Sequence, residues 1–274
     1  MKGGCSSPWT CCLRAVWLVW ALSLPNLAAA RPPVIAVVID DMGNHLVHGQ
    51  AAIALPGKLT YAFLPHTPYA ITLAEAAHQR GKEVMLHLPM DAHDGTDLGP
   101  GALKLHMTET DFKSTFRNGL ASVPYVAGVN NHMGSLLTRH PGAMAWLMEV
   151  LQERPDLYFI DSRTTHETVA QEQAEAFRVP NTRRDVFLDN DKAPVSINRQ
   201  FQRLIDKALE QGFAVGIGHP YPETIRVLEY ALAHLESLVV DLVSASELIH
   251  LQRSSEIWQE PSSPSQQVVK NSKQ

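Results

Sequence analysis

The chain has 274 residues, a formal net charge of −5 at pH 7 and a hydrophobic fraction of 45%. This length can bury a sizeable core as one large domain or two small ones. The mild acidity argues against a dedicated nucleic-acid-binding protein, because such proteins usually present a basic face.

Residues 1–30 have the pattern of a secretory signal peptide. Lys2 and Arg14 precede the apolar run AVWLVWALSLPNLAAA, which ends in small residues. A basic start, an apolar centre and an A-x-A-like end predict export with cleavage after Ala30. A retained membrane anchor is the alternative, but the run is shorter than the roughly 20 apolar residues of a spanning helix. We therefore expect a periplasmic or extracellular protein with no stable membrane insertion after cleavage.

The three cysteines, Cys5, Cys11 and Cys12, lie inside this predicted leader. The mature protein would then contain no disulfide, and a metal site would need His, Asp or Glu ligands. Residues 251–274 are rich in Ser, Gln and Pro, a composition that predicts a disordered polar tail. One folded domain is therefore expected over residues 31–250.

Short apolar runs alternate with segments of helical periodicity along this domain. The runs are VIAVVID (34–40), LTYAFL (59–64), EVMLHL (83–88), YVAGVNNH (125–132), LYFIDS (157–162), FAVGIGH (213–219) and LVVDLV (238–243). Such β-branched runs suit strands that are covered on both faces. Between them, Thr108 and Asp111 form a predicted helix cap, and Gly81 and Gly212 are predicted helix ends. The alternation predicts an α/β domain with a parallel sheet of about seven strands, close to the size of a barrel.

Unusual polar residues lie at the predicted carboxyl ends of these strands, the edge at which parallel α/β proteins bind ligands. They are Asp40, Asp41, His87, Asn130, Asn131, His132, Asp161, Ser162 and His219. Each has a structural alternative. Adjacent aspartates often begin a turn, and a histidine within an apolar run is more often a hydrogen-bonded core residue. Recurrence at five strand ends favours one shared site, and His66 and His93 lie on the same rim.

Two or three histidines with one carboxylate suit a divalent cation, most readily zinc. Cobalt, nickel or manganese would also accept this type of ligand set. The cation would lower the pKa of a bound water from about 15.7 to near 7 and polarise a carbonyl group. The other aspartate would then act as a base, and a further histidine would protonate the leaving group.

Six segments of the sequence resemble the divergent polysaccharide deacetylase family, a branch of the NodB-like deacetylases of carbohydrate esterase family 4. They are VIDDMG (38–43), EVMLHLPM (83–90), GVNNHMGS (128–135), YFIDSRT (158–164), RRDVFLD (183–189) and IGHPYPETIRVL (217–228). The resemblance covers about Val34 to Leu235. It implies a distorted (β/α) barrel of about seven parallel strands and metal-dependent removal of acetyl groups from amino sugars.

The resemblance also implies roles for individual residues. By position, Asp40 resembles the general base of the family and His219 resembles its general acid. Asp41 and His87 resemble two of its metal ligands. Asn131, Asp161, Ser162 and Arg184 are expected to support the site, by orienting catalytic side chains or binding sugar hydroxyls.

One position departs from the family pattern. The wider family has a second metal histidine four residues after the first, where this sequence has Asp91. We expect His132, at the end of the next strand, to replace it and to complete a set of Asp41, His87 and His132.

The leading hypothesis is therefore a secreted hydrolase of C–N amide bonds that removes N-acetyl groups from an amino-sugar polysaccharide or cell-envelope glycan. A catalytically inactive glycan-binding or envelope-assembly protein on the same fold is the alternative, motivated by Asp91. A glycosidase ranks last, because its two carboxylates must lie about 5 Å or more apart across the sugar, and Asp40 and Asp41 are adjacent.

Overall fold

One curved sheet of nine parallel strands forms the centre of the described part of the chain. The computed structural model describes Met1, residues 32–235 and residues 238–259. The strands are β1 (Val34–Met42), β2 (Thr60–Phe63), β3 (Glu83–Met90), β4 (Val126–Met133), β5 (Tyr158–Asp161), β6 (Asn181–Arg183), β7 (Val186–Phe187), β8 (Phe213–Gly218) and β9 (Asp241–Leu242). Their order is β6-β5-β4-β3-β2-β1-β8-β7, and β9 pairs with the start of β1. The parallel sheet is confirmed, with β6 and β7 as two short strands that the sequence did not indicate.

One continuous segment, residues 181–188, joins the two edges of the sheet. Its first part pairs with β5 and its second part with β8. Between these pairings, the backbone N–H of Arg184 donates to the carbonyl of Asp161, and that of Asp185 donates to the carbonyl of Val215, both at 2.9 Å. The sheet therefore closes into a distorted barrel, which confirms the predicted fold class.

Eight helices in the described residues surround or cap this barrel. They are α1 (Leu46–Ile53), α2 (Ala70–Gln79), α3 (Glu109–Ser122), α4 (Pro141–Gln152), α5 (Ala170–Ala176), α6 (Pro194–Gln211), α7 (Pro222–Ala233) and α8 (Ala245–Gln259). The hydroxyl of Thr108 accepts a hydrogen bond from the backbone N–H of Asp111 and caps α3. Gly212, with a φ of 90°, ends α6. Both features agree with the sequence prediction.

Successive residues of β1 face opposite sides of the sheet, as the strand period requires. Val37 and Ile39 pack in the large core that includes the helices outside the sheet. Ala36 and Val38 pack in a second cluster, which fills the interior of the barrel and includes residues of α8. Asp40 is the next residue on the interior side, and it is buried. The barrel interior thus changes from apolar to polar toward the carboxyl ends of the strands.

Helix α8 closes the barrel at the amino ends of the strands. Glu83 Oε1 accepts hydrogen bonds from Thr60 Oγ1 at 2.9 Å, Tyr158 Oη at 2.8 Å and the backbone N–H of Ser246 at 3.2 Å. Thr60 Oγ1 in turn accepts a hydrogen bond from the backbone N–H of Ala245 at 3.0 Å. These contacts tie the start of α8 to β2, β3 and β5.

The two chain ends differ in how far they can be described. The predicted signal peptide falls on residues outside the described part, apart from Met1. Helix α8 continues past Leu251 to Gln259, so residues 251–259 are helical where a disordered tail was expected, and the rest of the predicted tail, residues 260–274, lies outside the described part. Within the described ranges, none of the helices has the length and apolar character needed to span a bilayer.

Candidate metal centre

The end of β1 directs two adjacent carboxylates into the same site. A regular strand would turn Asp41 away from the interior that Asp40 faces. Asp41 instead has a left-handed backbone with a φ of 55°, and the pairing with β2 shifts register between Ile39 and Met42. A non-glycine residue in this conformation is strained, and such strain concentrates at functional sites. The irregular strand end is therefore what allows both aspartates to serve one site.

Asp41, His87 and His132 bring three potential ligand atoms together at the ends of β1, β3 and β4. Asp41 Oδ1 lies 2.9 Å from His132 Nδ1 and 3.2 Å from His87 Nε2, and the two ring nitrogens are 3.0 Å apart. Ligand atoms bound at 2.0–2.1 Å to a tetrahedral cation lie about 3.3 Å from one another. Within the described ranges, these residues are the one group of three or more His, Cys, Asp or Glu side chains that could hold a metal ion.

The hydrogen bonds around this metal-ligand triangle also fit a divalent cation. Asp41 Oδ1 is buried and has no hydrogen-bond partner among the described residues, although it is close to two ring nitrogens. His87 Nδ1 lies 2.8 Å from Asn130 Oδ1, so Nδ1 carries the hydrogen and the lone pair of Nε2 faces Asp41. Converging lone pairs repel one another unless a cation or a proton lies between them. One carboxylate and two imidazoles are the donors that zinc prefers.

The pKa shifts of the metal-free chain follow from the same geometry. Burial alone would raise the pKa of Asp41, but the short contacts with His132 and His87 hold it well below its usual range. Burial alone would lower the pKa of His87, but the carboxylates of Asp40 and Asp41 raise it to about 9. A proton on His87 is therefore favoured where a cation would bind, and the two compete for Nε2.

Asp40 lies beside the metal-ligand triangle and is held by Asn130. The side-chain amide of Asn130 donates a hydrogen bond to Asp40 Oδ1 at 2.8 Å, and Asp40 Oδ2 is 3.6 Å from His87 Nε2. Burial raises the pKa of Asp40, and the nearby His87 and His219 oppose this increase only partly. A buried carboxylate with a raised pKa beside metal ligands has the properties of a general base.

His219, which follows β8, faces the metal-ligand triangle with one ring nitrogen. Its Nε2 is 3.7 Å from Asp41 Oδ2, and its Nδ1 is 2.9 Å from Asp189 Oδ1. Asp189 Oδ2 accepts hydrogen bonds from the backbone N–H of His219 and the hydroxyl of Thr224, at 2.6 and 2.7 Å. Burial alone would lower the pKa of His219, but the hydrogen bond and charge of Asp189 raise it. A protonated His219 then directs Nε2–H toward the site, as a general acid requires.

Two of the predicted supporting residues act on the backbone instead of the catalytic side chains. Asn131 Oδ1 accepts from the backbone N–H of Ser162 at 2.8 Å, and its amide donates to the carbonyl of Met133 at 2.7 Å. Asp161 accepts from the backbone N–H of Arg163 and the hydroxyl of Thr168, at 2.8 and 2.9 Å. Asn131 and Asp161 therefore hold the ends of β4 and β5 and make no bond to the metal-ligand triangle.

The other two supporting residues, Ser162 and Arg184, contact each other. Arg184 donates from Nε to the carbonyl of Ser162 at 2.6 Å and from Nη2 to the carbonyl of Arg163 at 2.8 Å. Burial lowers the pKa of Arg184, while the charge of Asp40 raises it, so the two groups interact electrostatically. Ser162 Oγ is buried and has no hydrogen-bond partner among the described residues.

The remaining rim residues lie apart from the metal-ligand triangle. Asp91, at the position of the family's second metal histidine, accepts a hydrogen bond from the backbone N–H of Leu105 at 3.2 Å through Oδ2. His93 Nε2 is 2.6 Å from a guanidinium nitrogen of Arg139, and His66 is exposed. None of these three belongs to the metal-ligand triangle, whose third residue is His132.

Sequence reasoning assigned no role to two residues that contact the candidate site, Asn130 and Asp189. Asn130 precedes His132 by two positions on β4, so the strand period places both on the interior face and Asn131 on the other. That period was therefore a signal that pointed to Asn130 instead of Asn131. Asp189 follows β7, a strand of two residues, and no apolar run marked a strand end there.

The barrel has the fold of the NodB-like carbohydrate deacetylases. The structure of peptidoglycan deacetylase PdaC from Bacillus subtilis superposes with a TM-score of 0.50 and 13% identity, over 83% of this chain and 96% of that one. The crystal structure of uncharacterized protein ATU2773 from Agrobacterium tumefaciens C58 superposes with a TM-score of 0.77 and 24% identity, over 81% of this chain and 91% of that one.

Sequence comparison identifies the branch within this fold. The profile of the family described as divergent polysaccharide deacetylase matches residues 37–249. The uncharacterized protein YibQ of Escherichia coli K12 is 38% identical over 230 residues, which is 84% of this chain and 70% of that protein. The chain therefore belongs to the divergent polysaccharide deacetylase family, and the predicted family membership is confirmed.

Proposed function

We propose that this protein is a metal-dependent hydrolase that removes N-acetyl groups from an amino-sugar polysaccharide or a cell-envelope glycan. The observation that carries the proposal is the metal-ligand triangle of Asp41, His87 and His132, with Asp40 and His219 beside it. Membership of the deacetylase family supports acetylated sugars as the substrate class. The fold shared with a peptidoglycan deacetylase gives further support for a cell-envelope glycan.

Asp41 Oδ1, His87 Nε2 and His132 Nδ1 are the atoms that would hold the cation, and their chemistry favours zinc. When bound, a divalent cation polarises a carbonyl group and makes water a stronger nucleophile. Asn130 lies behind His87 and accepts a hydrogen bond from Nδ1, so the ring is held on the side away from the triangle, as metal-ligating histidines usually are.

Asp40 and His219 divide the proton transfers between them. Asp40 takes a proton from the attacking water, because its carboxylate is buried beside the metal ligands and its pKa is raised. His219 gives a proton from Nε2 to the amide nitrogen as the C–N bond breaks, and Asp189 holds the ring for this transfer. The products are acetate and the free amine of the sugar.

Export is a second part of the proposal and rests on the predicted signal peptide. Mass spectrometry of the protein from separated cell fractions tests it. We expect a periplasmic or extracellular form that begins at Arg31. A cytoplasmic protein that retains residues 1–30 would contradict it.

Acetate release and metal content together test the catalytic proposal. The purified mature chain should contain one equivalent of metal and release acetate from acetylated chito-oligomers or peptidoglycan fragments. Asp40→Asn should keep the metal and lose acetate release. A wild-type protein that binds these glycans but releases no acetate would support the inactive glycan-binding alternative.

A further inference from the structure

Asn130 contacts both the proposed general base, Asp40, and a proposed metal ligand, His87. Its side chain is fully buried, and its amide nitrogen donates to Asp40 Oδ1 at 2.8 Å. Its amide oxygen lies 2.8 Å from His87 Nδ1. One side chain thus connects the proposed general base with a proposed metal ligand.

The sheet register makes this double contact possible. Asn130 is the direct partner of His87 in the pairing of β3 with β4. Asp40 belongs to β1, which two other strands separate from β4 in the sheet order. The hydrogen bond from Asn130 to Asp40 therefore crosses the interior of the barrel, and only a residue on the interior face of β4 can make it.

The partners of Asn130 determine which way its amide points. An ionised carboxylate accepts hydrogen bonds and cannot donate them, so the amide nitrogen must face Asp40. The amide oxygen then faces His87, and an oxygen can only accept, so His87 Nδ1 must carry a hydrogen. The remaining ring nitrogen, Nε2, is the one that faces Asp41.

We propose that Asn130 is a positioning residue that fixes the tautomer of His87 and the orientation of Asp40 at the same time. This inference rests on the proposed function, since it assigns Asn130 a role toward the metal ligand and the base. The neutral amide is suited to both tasks because it offers one acceptor and one donor on the same rigid plane. Neither a carboxylate nor an ammonium group offers both.

The neighbouring Asn131 provides a matched control. It is also buried and also makes two hydrogen bonds, but both of its partners are backbone groups, Ser162 N and the Met133 carbonyl. Substitution of either asparagine removes a buried amide from the same strand. A purely structural role predicts the same effects for both, whereas the proposed role predicts different effects on the metal.

The experiment measures zinc affinity, by competition with a chromophoric chelator, and thermal unfolding for the purified wild-type chain and four variants. Asn130→Ala should weaken zinc binding by about 10–100-fold, the usual effect of losing a residue that orients a metal ligand. Asn130→Asp keeps an acceptor for His87 Nδ1 and should bind zinc at or above the wild-type level. Asn131→Ala should lower the unfolding temperature and leave the zinc affinity of the folded protein unchanged. Asn130→Ser, too short to span both partners, replaces Asn130→Ala if that variant does not fold.

Long-range ¹H–¹⁵N NMR of the His87 ring gives a direct second measurement. The zinc-loaded wild type should show hydrogen on Nδ1 and zinc on Nε2. Zinc on Nδ1, or equal zinc affinity of wild type, Asn130→Ala and Asn130→Ser, would overturn the role of Asn130 while leaving the proposed function intact. A wild-type chain that binds no zinc would overturn the proposed metal site and this inference with it.

Discussion

The two ends of the barrel contain buried polar clusters with opposite properties. At the amino ends of the strands, every polar contact around Glu83 joins a donor to an acceptor, and three donors share its Oε1 atom. At the carboxyl ends, Asp41 Oδ1 is buried beside two ring nitrogens without a hydrogen-bond partner in the described residues. The first cluster is complete within the folded chain, whereas the second requires a proton or a cation. The difference separates a cluster that stabilises the barrel from one with the geometry of the proposed metal site.

Loss of His132 should have the largest effect on the metal-binding end. His132→Ala removes one of the three ligand atoms, so zinc affinity should fall by more than about 100-fold, the upper end of the effect of losing a merely supporting residue. Metal analysis and chelator competition measure this effect. His93→Ala is the matched control, because His93 lies on the same rim outside the metal-ligand triangle. Equal zinc affinity of the two variants would contradict the assignment of His132.

Loss of Glu83 should lower the stability of the fold and leave zinc binding unchanged. Glu83→Ala leaves three donors without their acceptor at the closed end, and each buried unsatisfied group costs about 1–3 kcal/mol. We expect the free energy of unfolding to fall by about 3 kcal/mol and the zinc affinity of the folded protein to stay unchanged. Denaturant unfolding and chelator competition check the two parts, with Glu83→Gln, which keeps an acceptor oxygen, as the milder control. A weaker zinc affinity would show that the two ends are coupled.

The stability of the metal-free protein should decrease as the pH rises from about 6.5 to 9. His87 has a pKa raised to about 9 in the folded chain, so its protonation stabilises the fold fully below the unfolded pKa and is lost as pH rises through the folded pKa. The decrease should be roughly 2–3 kcal/mol, with a smaller contribution of the same sign from His219.

Denaturant unfolding in the presence of a chelator measures this slope. His87→Gln should reduce it, and a slope that His87→Gln leaves unchanged would contradict the explanation. Zinc should reverse the sign of the slope at fixed metal concentration, because the cation displaces the proton from Nε2 and binds more tightly as pH rises.

Removal of two buried hydroxyl groups should give the smallest changes in the free energy of unfolding, and these changes should differ in sign. Thr60→Val removes a hydroxyl that donates to Glu83 and accepts from the backbone N–H of Ala245, and should cost about 1–2 kcal/mol of stability. Ser162→Ala removes a buried hydroxyl without a partner in the described residues and should be neutral or stabilising by up to about 1 kcal/mol. Thermal and denaturant unfolding compare the two. Equal destabilisation would mean that Ser162 Oγ contributes to the fold as Thr60 does.

The sequence predicted the parallel sheet because most strands are nearly unbroken apolar runs, and the family resemblance implied that this sheet forms a distorted barrel. It did not indicate β6 or β7, since strands of three and two residues carry no periodicity. Their absence from the prediction also hid Asp189, which follows β7. This segment is extended because it closes the barrel by pairing with β5 and β8, and its own sequence carries no strand signal.

The metal-ligand triangle could be anticipated from strand ends, but its orientation could not. His87 and His132 lie on interior positions of β3 and β4, which the strand period can supply. Asp41 is different, because its inward direction depends on a left-handed residue and a register shift that no pattern of apolar residues encodes. Asn130 and Asn131 both lie at the end of β4, but the strand period turns only Asn130 toward Asp40 and His87.

The segment that joins the two edges of the sheet also brings Asp189 to His219, the proposed general acid. Residues 181–188 pair with both β5 and β8, and Asp189 directly after them contacts His219. A barrel that is still open along residues 181–188 lacks the contact of Asp189 with His219, the proposed general acid, even if β1, β3 and β4 already hold the other groups. The orientation of the proposed general acid is thereby tied to closure of the barrel.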